Sequence, residues 1–423
     1  LGAKNMPNAK QRRTRRDNRE TKPNVIFAEG GFDIPFLIIV LVLLTIGLVM
    51  LFSSSYTYAY YNKGGDSTFF FKRQLIFAII GIVAMFVISK IKYEYFKPLA
   101  LILLPISYLL LVIVLFVSPP AGFEEFHRWI SIPGFGTFQP SEIAKLSLIL
   151  FLAWNIDKNY KAINSRQLST AKFAIGFNQN RNSIIKIHRS TNYAFLYMIF
   201  IGSMCVLVYL ENHVSGTVLI FLLGMMMVFL GGFNKKWFII AVVAVAVVGT
   251  IVIIKPSILP GHATGRITAW LDKDFDPMGT RWQTNQALYA IGSGGFFGVG
   301  LGNSKQKHLY VSEPQNDFIF SIVCEELGFV GATVIIILFI LLVWRGFVIA
   351  MRAKDRFGAL LAMGLVFQVG LQAALNIAVV TDTIPNTGIS LPFFSYGGTS
   401  LLMLITEMGM VLSISRYSRI SKS

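Results

Sequence analysis

The sequence predicts an all-α, polytopic membrane protein of ten transmembrane helices, with a long folded outer loop between the seventh and eighth. Three observations carry this reading. Only 14% of the 423 residues are charged, where a soluble domain carries about a quarter. The stretches 193–210, 216–232 and 237–254 contain no charged residue. Lys and Arg concentrate in alternate connecting segments, the asymmetry that orients a membrane protein.

A bilayer core needs about 20 apolar residues per helix. The predicted spans are 34–52, 74–90, 98–117, 141–156, 193–210, 216–232, 237–254, 318–344, 357–380 and 398–415. The second is the weakest by length, and the fourth starts amphipathically with Glu142 and Lys145. One set of connections holds the N-terminal tail, Lys90 and Lys92, the stretch 158–189, Lys235 and Lys236, the stretch 345–356, and the C-terminal tail. This set is strongly basic, so it is expected in the cytosol with both termini. Residues 1–33 and 416–423 are then cytosolic tails flanking a membrane domain, 34–415, in the cell membrane. The first tail lacks the pattern of a cleavable signal. Its basic residues serve orientation or contact anionic lipid. The net charge of +17 is explained by this placement, with no nucleic-acid partner expected.

Loop lengths add to the picture, because long connections are usually functional or disordered. The cytosolic loop 157–192 is polar and basic, which predicts a mobile or surface-helical segment. The outer loop 255–317 mixes Trp270, Trp282, Tyr289, Phe296, Phe297 and Tyr310 with many glycines. That composition predicts a segment folded against the membrane face. Cys205 and Cys324 lie inside spans and read as buried thiols, with no ligand spacing for a metal.

The chemistry-bearing residues cluster in outer segments. His127-Arg128-Trp129 precedes Phe138-Gln139-Pro140-Ser141-Glu142-Ile143-Ala144-Lys145. Ser141 is placed to cap a helix, and Glu142 and Lys145, three apart, share a face. Glu211-Asn212-His213 forms a tight outer turn, where His213 is either a turn residue or a hydrogen-bonding group near the surface. In the long loop, Arg266 and Arg281 accompany two tryptophans. A glycine-rich run, 290–302, leads into Lys305 and Lys307, a pattern able to place N–H and ammonium groups around a phosphate. It is no Walker A loop. Asp317 directly precedes the eighth span, either as its N-cap or as a general base whose pKa burial raises. Glu325, Glu326, Gln368, Gln372, Asn376 and Glu407 fall inside apolar spans, where polar groups face a cavity or bond between helices.

These residues carry a resemblance. The chain is similar, from about 33 to 415, to the SEDS family (shape, elongation, division and sporulation). The matching pieces are Arg128-Trp129-Ile130, 138–145, 266–270, 286–304, Asp317-Phe318-Ile319-Phe320 with Glu325-Glu326-Leu327-Gly328, and Asn376 followed by 385–400. Residues 302–307 look more like the division branch than the elongation branch. The chain departs from the family at 123–126, at Asn212-His213 where Pro-Asp is common, at Ser312, and at Asp382-Thr383.

The resemblance implies a polymerase of peptidoglycan glycan strands acting on lipid II, a disaccharide-peptide on undecaprenyl diphosphate. It implies inverting transfer with Asp317 as general base. Arg128, Lys145, Arg266, Arg281, Lys305 and Lys307 are the candidates to hold the diphosphate, with Gln139, Glu142, Ser395 and Tyr396 as further substrate contacts. A divalent cation, Mg2+ or Mn2+, would serve the same charge. The expected partners are a class B penicillin-binding protein and other divisome proteins, at the division septum. A lipid II flippase, an elongation-type polymerase and an inactive division scaffold are the competing readings.

Overall fold

The computed structural model describes residues 30–118, 127–132, 136–163, 168–170, 186–233, 235–258 and 261–418. The helices are α1 (Ile34–Asn62), α2 (Phe69–Lys90), α3 (Phe96–Phe116), α4 (Pro140–Ile163), α5 (Arg189–Leu210), α6 (Val214–Leu230), α7 (Lys235–Ile254), α8 (Gly261–Leu271), α9 (Trp282–Gly294), α10 (Ile319–Met351), α11 (Arg356–Val380) and α12 (Gly398–Ser415). Ten of them coincide with the ten predicted spans. The other two, α8 and α9, fold the long outer loop as its composition foretold.

Among the described residues, α1, α2, α3, α5, α10, α11 and α12 are long and apolar enough to cross a membrane. The apolar α6 has 17 residues, and α4 carries Glu142, Lys145, Asp157, Lys158 and Lys161 along its length. More than half of the apolar windows of α11 and α12 are buried, against about a fifth for α2 and α3. The first two therefore form the centre. Around them α2 lies along α12, α4 along α3 and α11, and α1 along α10. Exposed Ile76, Ile79, Ile80, Val83 and Val87 on α2 form the lipid-facing side expected of a peripheral span.

Several boundaries differ from the sequence reading. α1 continues ten residues past 52, because its polar end, Ser53 to Asn62, still packs against the outer segments: Ser53 bonds Glu326. Within 157–192 the described residues are the end of α4, the start of α5 and a short hairpin between them. α4 continues to Ile163, and two short strands, β3 (Leu168–Thr170) and β4 (Lys186–His188), pair antiparallel. A second hairpin, β1 (Ile130–Ile132) with β2 (Gly136–Phe138), leads into α4. Residues 1–29 and 419–423, most of the two tails, lie outside the described residues.

The basic connections meet on one face. Asp33 caps α1, accepting from the Phe36 N–H, and receives a two-pronged bond from Arg345 at 2.8–3.1 Å. Its own N–H donates to Ser415. On the same side Lys97 pairs with Asp157 and Asp355 at 3.6 and 3.3 Å. The predicted alternation of loops is thus realised in the packing.

α10 is two helices joined at Gly328, whose φ of 67° and ψ of −169° break the hydrogen-bond ladder. The glycine-rich run fills the break. Val299 and Gly300 donate to the carbonyls of Glu325 and Glu326, while Phe329 and Val330 donate to those of Gly295 and Phe296. A Cβ on Gly298 would lie 2.2 Å from the Glu326 carbonyl oxygen, and one on Gly328 2.2 Å from the Gly298 nitrogen. Only glycine permits two backbones to approach so closely.

Candidate active site

The outer ends of the central helices enclose a cavity of about 570 Å3. Its lining includes Arg128, Gln139, Glu142, Lys145, Arg266, Asp317, Ser395 and Tyr396, eight of the residues singled out by sequence. They come from four separated segments. Lys63, Arg73, His213, Glu313, Gln368 and Gln372 line it too. Five Lys or Arg side chains against three carboxylates give the cavity lining an excess of positive charge.

Asp317 stands at the start of α10 but does not cap it. The N-cap position falls on Phe318, whose side chain has no polar atom to cap with, and the Asp317 carboxyl accepts from the backbone N–H of Phe318. Asn376, fully buried on α11, donates to the Asp317 carbonyl at 2.7 Å and to that of Ile389 at 2.6 Å. Burial raises the Asp317 carboxyl to about 6, and the Arg266 charge opposes that shift. Gly388, at a φ of +69°, sits beside both groups: a Cβ there would lie 3.6 Å from Asp317 Oδ2 and 3.9 Å from Arg266 Nη1. Arg266 projects from α8, whose Trp270 donates to the Asp382 carbonyl at 3.1 Å.

Glu142 and Lys145 form the expected pair at 2.9 Å, and they face the cavity rather than lipid. Lys145 also donates to Gln372 at 3.2 Å, and Gln372 to Ser390 at 3.0 Å. Ser141 is not the cap of α4. The helix begins at Pro140, a residue favoured at a first helical position, and the Ser141 hydroxyl is buried at the cavity wall without a hydrogen-bond partner among the described residues. Arg128 donates to the Asn212 carbonyl. Burial, then the Arg266 charge, lowers its pKa to about 10.

Three predicted phosphate ligands do not line the cavity. Arg281 pairs with Asp382 at 2.6 Å and donates to the Ala269 carbonyl, tying α8 to the end of α11. Lys307 pairs with Glu326 at 2.9 Å and bonds Ser53 and the Gly302 carbonyl. Lys305 is exposed, and its N–H donates to Glu325 at 2.9 Å. Glu325 also accepts from Ser304 and Gln306. The glycine-rich segment therefore closes around two carboxylates of its own chain, where the sequence reading had a phosphate cradle. Ser395 and Tyr396 reach the cavity, yet the Ser395 hydroxyl accepts from the Leu391 N–H and donates to the Asn316 carbonyl, both at 2.7 Å. Tyr396 N–H donates to Gln315. Ser395 is thus committed to holding 385–400 against 315–317.

Sequence reasoning overlooked Lys63, Arg73 and Glu313. Each lies in a segment predicted to face outward, so an inventory of outer charges would have found them. Gln368 and Gln372 lie a turn apart on α11, and the first donates to Glu407 at 3.2 Å.

Fold and cavity together define a multi-pass membrane protein with a cationic chamber beneath its outer loops. The family model described as "Cell cycle protein", for FtsW, RodA and SpoVE, matches residues 35–420, and the chain belongs to this family. It is 39% identical over 387 residues to stage V sporulation protein E of Bacillus subtilis (strain 168), covering 92% of this chain and 98% of that one. It is 37% identical over 389 residues to a probable peptidoglycan glycosyltransferase FtsW of Trichlorobacter lovleyi, covering 92% and 94%. Among solved structures it resembles a chain of a peptidoglycan synthase complex in which polymerization and crosslinking are coordinated. The TM-score is 0.69 with 25% identity, covering 92% of this chain and 99% of that one. Thermus thermophilus RodA shares the fold at a TM-score of 0.62 and 24% identity, covering 92% and 98%.

Proposed function

We propose that the chain is a peptidoglycan glycosyltransferase that polymerises lipid II at the outer face of the cell membrane in cell division. The observation that carries this is one raised-pKa carboxylate, Asp317, facing a cavity whose other charges are mainly cationic. A sugar hydroxyl is a poor nucleophile at neutral pH, so a positioned base is required. Asp317 takes the proton from the 4-hydroxyl of one GlcNAc as that oxygen attacks the anomeric carbon of MurNAc on the growing chain. The bond to undecaprenyl diphosphate breaks, and the α-linked donor becomes a β-1,4 product. The charge developing on the diphosphate is held by Arg128, Lys145 and Arg266, the first two fixed before reaction by their hydrogen bonds. A diphosphate leaves without a strong acid, so one carboxylate suffices.

Among the described residues no three His, Cys, Asp or Glu side chains converge as a metal site. The lining carboxylates Asp317 and Glu313 fit a divalent ion, Mg2+ or Mn2+, only as one shared with substrate phosphates, the usual mode for Mg2+. Such an ion would add positive charge at the diphosphate.

The flippase reading rests on polar groups reaching into the membrane. Gln372, Gln368 and Glu407 descend from the cavity, but α12 continues below Glu407 as Met408 to Leu412, all buried. A path crossing the whole bilayer is better served by polar groups along its length, so polymerisation is the reading favoured. The partner is a class B penicillin-binding protein, a cross-linking transpeptidase. The exposed apolar side of α10, with Phe329, Val334, Ile337 and Ile340, suits its single span. Both termini lie in the cytosol, and the protein works with other divisome components at the septum. Purified protein, with and without its partner, incubated with lipid II in detergent should yield glycan strands resolved by electrophoresis. Transbilayer movement of lipid II in vesicles without any polymer would replace this reading by transport.

A further inference from the structure

His213 stands in a wall of the cavity that the mechanism above does not use. It follows Asn212, whose backbone is left-handed at a φ of 58° and whose carbonyl accepts from Arg128. The imidazole is wedged against the first turn of α6. A Cβ on Gly216 would meet its Nδ1, Cε1 and Cγ at 2.6, 2.7 and 3.0 Å, so that ring edge is fixed. Gln139 Nε2 lies 3.4 Å from Nδ1. An amide NH2 group only donates, so Nδ1 accepts and the proton of the neutral ring resides on Nε2. No group among the described residues bonds Nε2, and the residue lines the cavity. Burial, then the Arg128 and Lys145 charges, lowers its pKa well below the ordinary value and keeps the ring neutral.

We infer that His213 is a positioning residue whose Nε2–H donates a hydrogen bond to a phosphate oxygen of the lipid-linked diphosphate, with Gln139 selecting the tautomer. The inference rests on the glycosyltransferase reading for the identity of the ligand. Its logic is charge economy. Arg128 and Lys145 already supply cations on this wall, and the product diphosphate must depart. A neutral donor adds direction without adding charge.

The test uses the full-length purified protein in detergent and undecaprenyl diphosphate as the probe, so that binding is read without turnover. His213→Phe keeps a ring against Gly216 but lacks the donor. It should weaken binding about tenfold, equivalent to about 1.4 kcal/mol. His213→Gln restores an N–H at similar reach and should recover binding to within about threefold of wild type. Nitrogen NMR of 15N-histidine protein, with His213 assigned by its loss in His213→Gln, should show the Nε2–H tautomer and a downfield change when the diphosphate binds. Unchanged binding by a folded His213→Phe protein, or an Nδ1–H tautomer, would overturn the inference. Tight binding of undecaprenyl diphosphate by a wild-type protein that makes no glycan would instead count against the glycosyltransferase reading and leave this one standing.

Discussion

Asn376 donates from one amide nitrogen to the carbonyl of Asp317 at 2.7 Å and to that of Ile389 at 2.6 Å. A buried side chain on α11 thereby fixes the backbone of the proposed base to the segment that carries Gly388. Asn376→Leu keeps the volume roughly but removes both bonds. Each buried carbonyl left unpaired costs about 1–3 kcal/mol. We expect a lowered melting temperature and a still larger loss of polymerisation, because the Asp317 carboxylate loses its register with Arg266. Thermal unfolding and lipid II turnover on one preparation check both. Normal turnover would show that this tie is only structural.

Asp317→Asn separates catalysis from capping. The Asp317 carboxyl accepts from adjacent backbone N–H groups, and an asparagine oxygen accepts there equally, so the substitution should leave stability nearly unchanged. Removing a general base typically costs about a hundred- to ten-thousandfold in rate. The wild-type protein should also show a pH limb. Asp317 acts only when ionised, so kcat/KM rises with pH and half-saturates at about 6. A flat profile from pH 5 to 8, or wild-type rate in Asp317→Asn, would remove Asp317 from the role.

Lys307 offers the opposite signature. It pairs with the buried Glu326 at 2.9 Å, and neither residue is among those lining the cavity. Lys307→Met strands that carboxylate, and breaking a buried pair costs about 3–5 kcal/mol. Adding Glu326→Gln removes the stranded charge and should recover most of the loss. Lys305→Ala, at an exposed side chain, should alter neither stability nor diphosphate affinity measurably. A Lys307→Met protein of normal stability but weakened substrate binding would return this lysine to the phosphate site.

Orientation is tested chemically. On a Cys205→Ser, Cys324→Ser background, Lys305→Cys should react with a membrane-impermeant maleimide from outside the cell, and Lys354→Cys only after permeabilisation. The two positions lie on opposite faces: Lys305 packs in the outer loop, and Lys354 lies near Glu94 on the face with Asp33 and Arg345. The reverse pattern would invert the topology.

The spans were legible because bilayer insertion writes itself into composition: uninterrupted apolar runs and a Lys/Arg bias are local features. Convergence of Arg128, Glu142, Lys145, Arg266 and Asp317 was legible because each lies at an outer helix end or loop. The roles of Arg281, Lys305 and Lys307 were not. A lysine after a glycine run reads alike whether it awaits a phosphate or pairs with Glu326 of its own chain, and the partner is set by tertiary packing. Ser141 misled for a related reason. Pro140 pre-set the first turn, so the cap position falls on Gln139, two residues upstream of the serine.

Glu211 carries a stability prediction. It follows α5, is fully buried, and neither carboxyl oxygen has a hydrogen-bond partner among the described residues. Burial pushes it from 4.5 to about 8, against the opposing Arg128 charge. The folded state thus holds a proton that the unfolded chain releases above 4.5. Its contribution is fully present below that value and is lost as pH rises through about 8. Across this window the slope is about −1.4 kcal/mol per pH unit for one proton. Two neighbours also titrate: Asp317, raised, acts in the same direction, and His213, lowered, acts oppositely. The quantity to measure is therefore the difference between wild type and Glu211→Gln, in which both neighbours largely cancel. Glutamine keeps the shape without the ionisation. Its melting temperature should match wild type near pH 4.5 and exceed it increasingly toward pH 8. Parallel curves for the two proteins over that range would show that Glu211 is ionised and partnered when folded.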